Sequence, residues 1–333
     1  MTNRLKRRYE PDYVHEVPVL KHGDTDADIQ GAREPFLFQH EGRFYLHYDG
    51  NGTRDWGCTL AVSDDLYHWD KKGRMLQAGE EGDTDHGGAC YGPTFLFDGK
   101  WYMYYVSVAN TSGAPWFVPA LPYRTGLATA DRPDGPWTKA TTNLFTLGAP
   151  GSWNEGCICA PYLVREGETF YAFYSGSNMG PNFKRTIGLL TASSPEGPWT
   201  DSEGPILPLD ENLENPSLYY EPACGLWFMF VNHVGNNEEG VEFTDAVWVY
   251  WSESLTEWNA ENKAVVLDAA NIPWVKQVVG LPACLVDGDK LWIAFDASDG
   301  TIHENLHGHS NRDIGLSYFD LPLRSPNDKQ YLG

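Results

Sequence analysis

Basic residues are scarce in this chain. Its 24 lysines and arginines stand against 46 aspartates and glutamates, a formal net charge of -22. A field of that sign repels phosphate backbones and anionic headgroups, which argues against nucleic acid and membrane surfaces as partners. Long apolar runs are missing as well, and nothing approaches the roughly 18 apolar residues of a membrane-spanning helix. The N-terminal "MTNRLKRRYEPDYVHEV" has basic residues with no apolar segment behind them, so as written it is not a secretory signal. Cysteine is sparse too: six in 333 residues are too few for a disulfide-stapled scaffold. Cys58, Cys90, Cys224 and Cys284 sit in or beside apolar runs and read as buried thiols of a reducing compartment, which points to the cytoplasm. No stretch shows the 3.6-residue periodicity of an amphipathic helix.

What the chain has instead is aromatic residues, 34 glycines, 22 prolines and a phrase written five times. "REPFLFQHEGRFYLHYDG", starting at Arg33, returns as "YGPTFLFDGKWYMYYVS", "CAPYLVREGETFYAFYSG", "ENPSLYYEPACGLWFMFVN" and "GLPACLVDGDKLWIAFDA". The phrases align on Pro35, Pro93, Pro161, Pro216 and Pro282. Each proline opens a short apolar run, followed by a Gly- or Asp-bearing turn and an aromatic-rich alternating run, the pattern of a β-hairpin. A third run follows, and in four of the five units it leads through a polar turn to a tryptophan (Trp69, Trp137, Trp199, Trp258), where a fourth strand is expected. A four-stranded sheet of this size cannot bury both faces alone. Five packed face to face around an axis do, which predicts an all-β, five-bladed β-propeller over residues 1–333 as one domain, each blade a four-stranded antiparallel sheet.

In a propeller, three sets of positions face the axial funnel: residues around each repeat proline, the ends of the second strands and the starts of the third. The first set holds Arg33-Glu34, Tyr91-Gly92, Cys159-Ala160, Glu214-Asn215 and Gly280-Leu281. The second holds Asp49, Ser107, Ser175, Asn232-His233 and Asp296, and the third Arg54, Arg124, Arg185 and Arg312, with Asp245 in the fourth unit. The repeats build the frame, so departures from the repeat mark the site. Glu34 departs most clearly: an acid on an innermost strand costs desolvation unless it has a task. Glu214 stands two residues before its proline, and Glu155 lies in the loop leading to the third inner strand. The arginines recur in four of five units, which argues for a structural part that pairs with a neighbouring blade's acid.

His86, His233, His303, His307 and His309 all fall in rim segments. A zinc site from "HENLHGH" would need His303 and His307 on one helix face, and the segment has no helical pattern. A single funnel histidine serves better as hydrogen-bond donor, as acid, or as hydration-shell ligand of an axial structural cation such as calcium; otherwise no cofactor is required. Cys157 and Cys159 lack a second pair and read as packing. Among rim aromatics, Trp56, Trp116, Trp153 and Trp274 offer faces for sugar stacking.

A propeller whose first inner strand starts with an acid before proline resembles the glycoside hydrolase superfamily that includes families 43, 32, 68, 117 and 130. The resemblance covers essentially the whole chain and is nearest to family 43, whose first blade sets Asp-Pro before a strand and a Gly-Tyr-Tyr-Leu hairpin. It implies that Glu34 stands for the blade-one acid, general base of an inverting enzyme or nucleophile of a retaining one. The family's blade-two carboxylate falls here on Thr94 and its blade-three general acid on Cys159, while blade four supplies "ENP", the family's acid phrase displaced by one blade. Glu155, Glu214 and His303 are therefore the candidate proton donors, in that order, His303 with Glu304 being the counterpart of the histidine acid of family 117.

Glycosidic cleavage needs a base or nucleophile on one face of the sugar and a proton donor on the other. The sequence thus predicts a glycoside hydrolase releasing a terminal sugar from a plant or algal oligosaccharide, with Asp49, His86, Trp153, His233 and Asp296 as substrate-binding residues. A family 130-like phosphorylase, with phosphate in place of water, and a non-catalytic carbohydrate-binding propeller are the alternatives.

Overall fold

The computed structural model describes residues 7–180, 183–304, 306 and 308–328. Among them the structure is all-β; the one helical turn is the 3-10 segment Leu209–Glu211. The strands fall into successive antiparallel groups that follow the sequence repeats. The first comprises Gly31–His40, Arg43–Asn51, Trp56–Ser63 and Asp70–Arg74. Cys157–Glu166, Thr169–Ser177, Arg185–Ala192 and Thr200–Asp201 form the third, and Leu213–Glu221, Leu226–Asn236, Glu242–Ser252 and Lys263–Asp268 the fourth. In the second group the first strand is split into Gly88–Ala89 and Thr94–Phe97, both paired with Lys100–Thr111, which continues to Pro119–Ala130 and Thr138–Lys139. The fifth group runs Val279–Asp287, Lys290–Ala297 and Asp313–Asp320, and its fourth strand is Tyr13–Val14 from the other end of the chain.

Tight turns close the first hairpins. His40 pairs with Arg43 across Glu41-Gly42, and Phe97 with Lys100 across Asp98-Gly99; both residues of each turn have positive φ, the geometry whose twist suits a two-residue hairpin. In four groups the repeat proline lies inside the first strand rather than at its start, whereas Pro93 stands in the gap just before Thr94–Phe97. In four groups the register breaks just before the proline, between Arg33 and Phe36, Cys159 and Tyr162, Glu214 and Ser217, and Gly280 and Ala283. Each break is a β-bulge that turns the pre-proline residue aside.

The groups pack through their faces. Phe38 meets Trp101 between the first and second, Phe97 meets Phe170 between the second and third, and Phe173 shares a cluster with Met229 and Trp248 of the fourth. Phe228, Phe230 and Trp251 bury themselves against Ile293, Phe295 and Phe319 of the fifth. Trp292 and Leu316 of the fifth pack on Leu37, Leu46 and Tyr48 of the first.

A buried tyrosine and acid pin the loop ahead of each of four first strands to the outer strand of the same group. Tyr48 donates to Asp28 at 2.9 Å while Lys71 grips it at 2.6 Å. Tyr105 and Lys139 do the same to Asp85 at 3.0 and 2.6 Å. In the fourth group Tyr250 and Lys263 hold Glu211. The third exchanges the parts: the loop supplies Asn154 and the outer strand Asp201, with Tyr174 between them. These clamps fix where each inner strand begins, and so where the bulges point.

Candidate active site

The bulges converge on a cavity of about 270 Å³ lined from all five groups. Glu34 and Asn215 sit on bulges with φ of 53° and 57°, and Ala160 with φ of 50°. A following proline disfavours the right-handed helical region, and left-handed backbone at a non-glycine residue costs on the order of 1–3 kcal/mol, strain of the kind that gathers at functional sites. The Glu34 and Asn215 bulges, and Tyr91 in the second group, are caught by the neighbouring group. The Glu34 N–H donates to Asp296 Oδ2 at 2.7 Å and the Asn215 N–H to Ser175 Oγ at 2.8 Å, while the Tyr91 N–H donates to Asp49 Oδ1.

Two clusters of acids face the cavity, each organised by one arginine. In the first, Arg33 Nη2 meets Glu34 Oε1 at 2.6 Å, its guanidinium lies 4.7 Å over Trp56, and Asp49 is the strand partner of Arg33. Burial raises Glu34 above the ordinary glutamate value, with Arg33 opposing and Asp296 and Glu214 adding to the rise. Burial and then the Glu34 charge hold Asp49 well above the usual carboxylate range. In the second cluster Arg185 bridges Glu214 and Glu242, at 2.7 and 2.5 Å. Tyr91 spans the clusters: its hydroxyl donates to Asn215 Oδ1 at 3.3 Å, and Asn215 donates to Asn232 at 2.9 Å. Burial, then the Glu34 charge, hold the Tyr91 phenol well above its usual pKa, so it stays a donor. Arg33 Nε, Arg185 Nε, Ser177 Oγ and Thr244 Oγ1 are buried without a hydrogen-bond partner in the described structure, and all four residues line the cavity.

Of the residues expected from sequence, Glu34, Asp49 and Glu214 meet here. Asp296 lies beneath the cavity, fully buried, with both oxygens engaged by the Glu34 N–H and by Arg312 Nη1 at 2.8 Å. Glu155 is outside the lining; its oxygens accept the N–H groups of Gly151 at 2.7 Å and Met179 at 3.3 Å, which ties two loops together. His303 is exposed, with Nε2 at 3.5 Å from Glu239, and His86 is exposed in a turn after Asp83. His233 stacks flat on Trp248 at 4.0 Å and bonds Asp245 at 2.6 Å, and Trp153 stacks on Tyr174 at 5.8 Å; neither lines the cavity. Thr94 is buried against His47 at 2.9 Å, whereas Cys159 does face the cavity. His307 lies outside the described residues. No group of three or more His, Cys, Asp or Glu among the described residues is arranged to hold a metal ion.

Sequence reasoning placed Tyr91 and Asn215 at the funnel without giving them a role, and passed over Glu242. It read Arg185 as structural; the arginine does pair with acids of the next group, as expected, but it does so in the cavity wall.

The frame is all-β, and carboxylates from different strand groups meet over one cavity. Residues 29–158 match the family model described as Glycosyl hydrolases family 43. The fold extends the likeness across the chain. Zg3597, a family 117 glycoside hydrolase from the marine bacterium Zobellia galactanivorans, is 13% identical, with 97% of this chain and 94% of that one covered at a TM-score of 0.66. A thermostable family-43 glycoside hydrolase is 16% identical over 92% of this chain and 97% of its own, at a TM-score of 0.60. The α-L-arabinofuranosidase PaAbf62A from Podospora anserina, solved with cellotriose, is 14% identical over 91% of this chain and 95% of that one, at a TM-score of 0.65. A search of curated proteins finds no match. The chain thus has the fold of these propeller glycoside hydrolases, and residues 29–158 resemble family 43.

Proposed function

We propose that the five strand groups are the blades of one closed propeller domain and that the protein removes a terminal sugar from an oligosaccharide, with Glu34 and Glu214 as the catalytic pair. The observation that carries this is their placement: the two acids reach one cavity from the first and fourth groups, each on its own arginine. Glu34 has the Arg33 guanidinium against it at 2.6 Å, a neighbour that stabilises its charge, so it takes the proton of an attacking water or attacks the sugar itself. Glu214 shares Arg185 with Glu242. Of the two acids Glu214 is the less exposed, and it reaches the cavity from the side opposite the Glu34 cluster's own arginine. Glu214 therefore takes the role for which sequence reasoning favoured Glu155. The carbohydrate character of the substrate is supported by the cellotriose complex of a structural neighbour and by the unpartnered polar atoms that sugar hydroxyls would satisfy.

The test is a panel of aryl glycosides and plant or algal oligosaccharides, with and without phosphate. Release of a single sugar without phosphate, abolished in Glu34→Gln, is the expected result. Turnover that requires phosphate would make the enzyme a phosphorylase, and sugar binding with no turnover would leave a lectin-like propeller.

A further inference from the structure

The cavity is two-faced. Its acids and arginines come from the first, third, fourth and fifth groups, and the second group contributes no charged side chain. There, beside Cys90, Tyr91 and Pro119, the wall consists of Val106 and Val108 on one strand, Leu121 and Tyr123 on the next, and Val118 in the segment between them. The arrangement follows from the strand period: alternate residues share a face, Val108 stands opposite Tyr123 in register, and Ser107 points the other way to Thr84. The Tyr123 hydroxyl is already spent on the Pro119 carbonyl at 2.9 Å. That leaves the Tyr123 oxygen as an acceptor, but the Val106, Val118 and Leu121 side chains offer a ligand neither donor nor acceptor.

A sugar seated with its hydroxyls toward the charged hemisphere presses its opposite edge on this wall. A hydroxyl there would lose its water and find no partner, whereas a methyl group would fill the surface. We infer that the terminal sugar is a 6-deoxyhexose, its methyl group lying against Val106, Val118 and Leu121 where an ordinary hexose carries a hydroxymethyl. This deepens the glycosidase reading and rests on the cavity being its sugar site. An apolar pocket rejects an added hydroxyl or a missing methyl by roughly 10- to 100-fold.

The experiment is calorimetric titration of the wild-type protein with free sugars in matched sets: L-fucose, L-galactose and D-arabinose; L-rhamnose, L-mannose and L-lyxose; 6-deoxy-D-glucose, D-glucose and D-xylose. In one set the deoxy sugar is expected to bind roughly tenfold or more tighter than both the parent hexose and the pentose. Val106→Thr, which sets a hydroxyl in the wall at nearly unchanged shape, should narrow that ratio. A parent hexose or pentose that binds as tightly, or no binding by any of these sugars, overturns the inference. Binding needs no turnover, so a deoxy sugar held at that ratio by a protein that cleaves no glycoside would sink the glycosidase mechanism and leave this inference standing.

Discussion

The Glu34 N–H donates to the Asp296 carboxylate at 2.7 Å, so the last strand group holds the inward bulge of the first. The same carboxylate takes Arg312 at 2.8 Å, and both side chains are buried. Asp296→Ala frees the bulge and leaves Arg312 buried without its counter-charge, a loss of about 3–5 kcal/mol by the usual cost of breaking a buried pair. Chemical denaturation measures it. An unchanged midpoint would mean that the contact does not tie the first group to the fifth.

Asp49 holds the Tyr91 bulge in the same way. Its folded pKa is raised, by burial and then by Glu34. The folded chain thus keeps this proton longer than the unfolded chain, and stability falls as pH rises from about 4 toward the folded value. Asn keeps an acceptor for Tyr91 and removes the titration. Asp49→Asn should melt above wild type at about pH 8, and the two melting curves should converge near about pH 4. An offset that is independent of pH would contradict the assignment.

Arg33 opposes the burial-driven rise at Glu34. If Glu34 must be ionised to act, the acid limb of kcat/KM lies above the ordinary glutamate value of about 4.3. Arg33→Gln removes the opposing cation and should move that limb to higher pH, with melting temperature followed alongside. A limb that stays put or moves down would separate Glu34 from the titration.

Trp116 is 40% exposed, and its carbonyl accepts the Nε1–H of Trp56, which lines the cavity. Two residues on, Val118 lines the same cavity. An indole at that mouth suits the sugar next to the cleaved bond. Trp116→Ala should raise KM for oligosaccharides several-fold, a loss of about 1 kcal/mol, and leave small aryl glycosides unchanged. Equal losses on both substrates would place Trp116 in the fold rather than at the mouth.

The strand groups were legible because each repeat carries its own hairpin pattern, and Glu34 and Glu214 because they break it. The bulges were not: the alternating pattern runs on through a register break, so the prolines read as strand starts. Tyr91 was placed at the funnel, but its part there was obscured by a local difference. In the second group Ala89, four residues before its proline, takes the pairing position that Arg33, Cys159, Glu214 and Gly280 hold two residues before theirs. Glu155, His233 and Trp153 looked functional because their partners, Met179, Trp248 and Tyr174, lie on other strands or loops that spacing alone does not bring near. The outer strand of the fifth group, Tyr13–Val14, lies nearly a full chain away from Tyr318 in sequence, and no local pattern announces it.

The pairing of Glu34 with Glu214 is tested most directly by comparing Glu34→Gln, Glu214→Gln and Glu155→Gln on one natural linkage and one aryl glycoside with a good leaving group. A base or nucleophile is needed for both substrates, whereas a proton donor matters little when the leaving group needs no proton. Glu34→Gln should lose roughly 10²-fold or more on both. Glu214→Gln should lose as much on the natural linkage and recover most of it on the activated one, and Glu155→Gln should stay near wild type. Near-normal activity in Glu34→Gln, or selective recovery in Glu155→Gln instead of Glu214→Gln, would contradict the pairing.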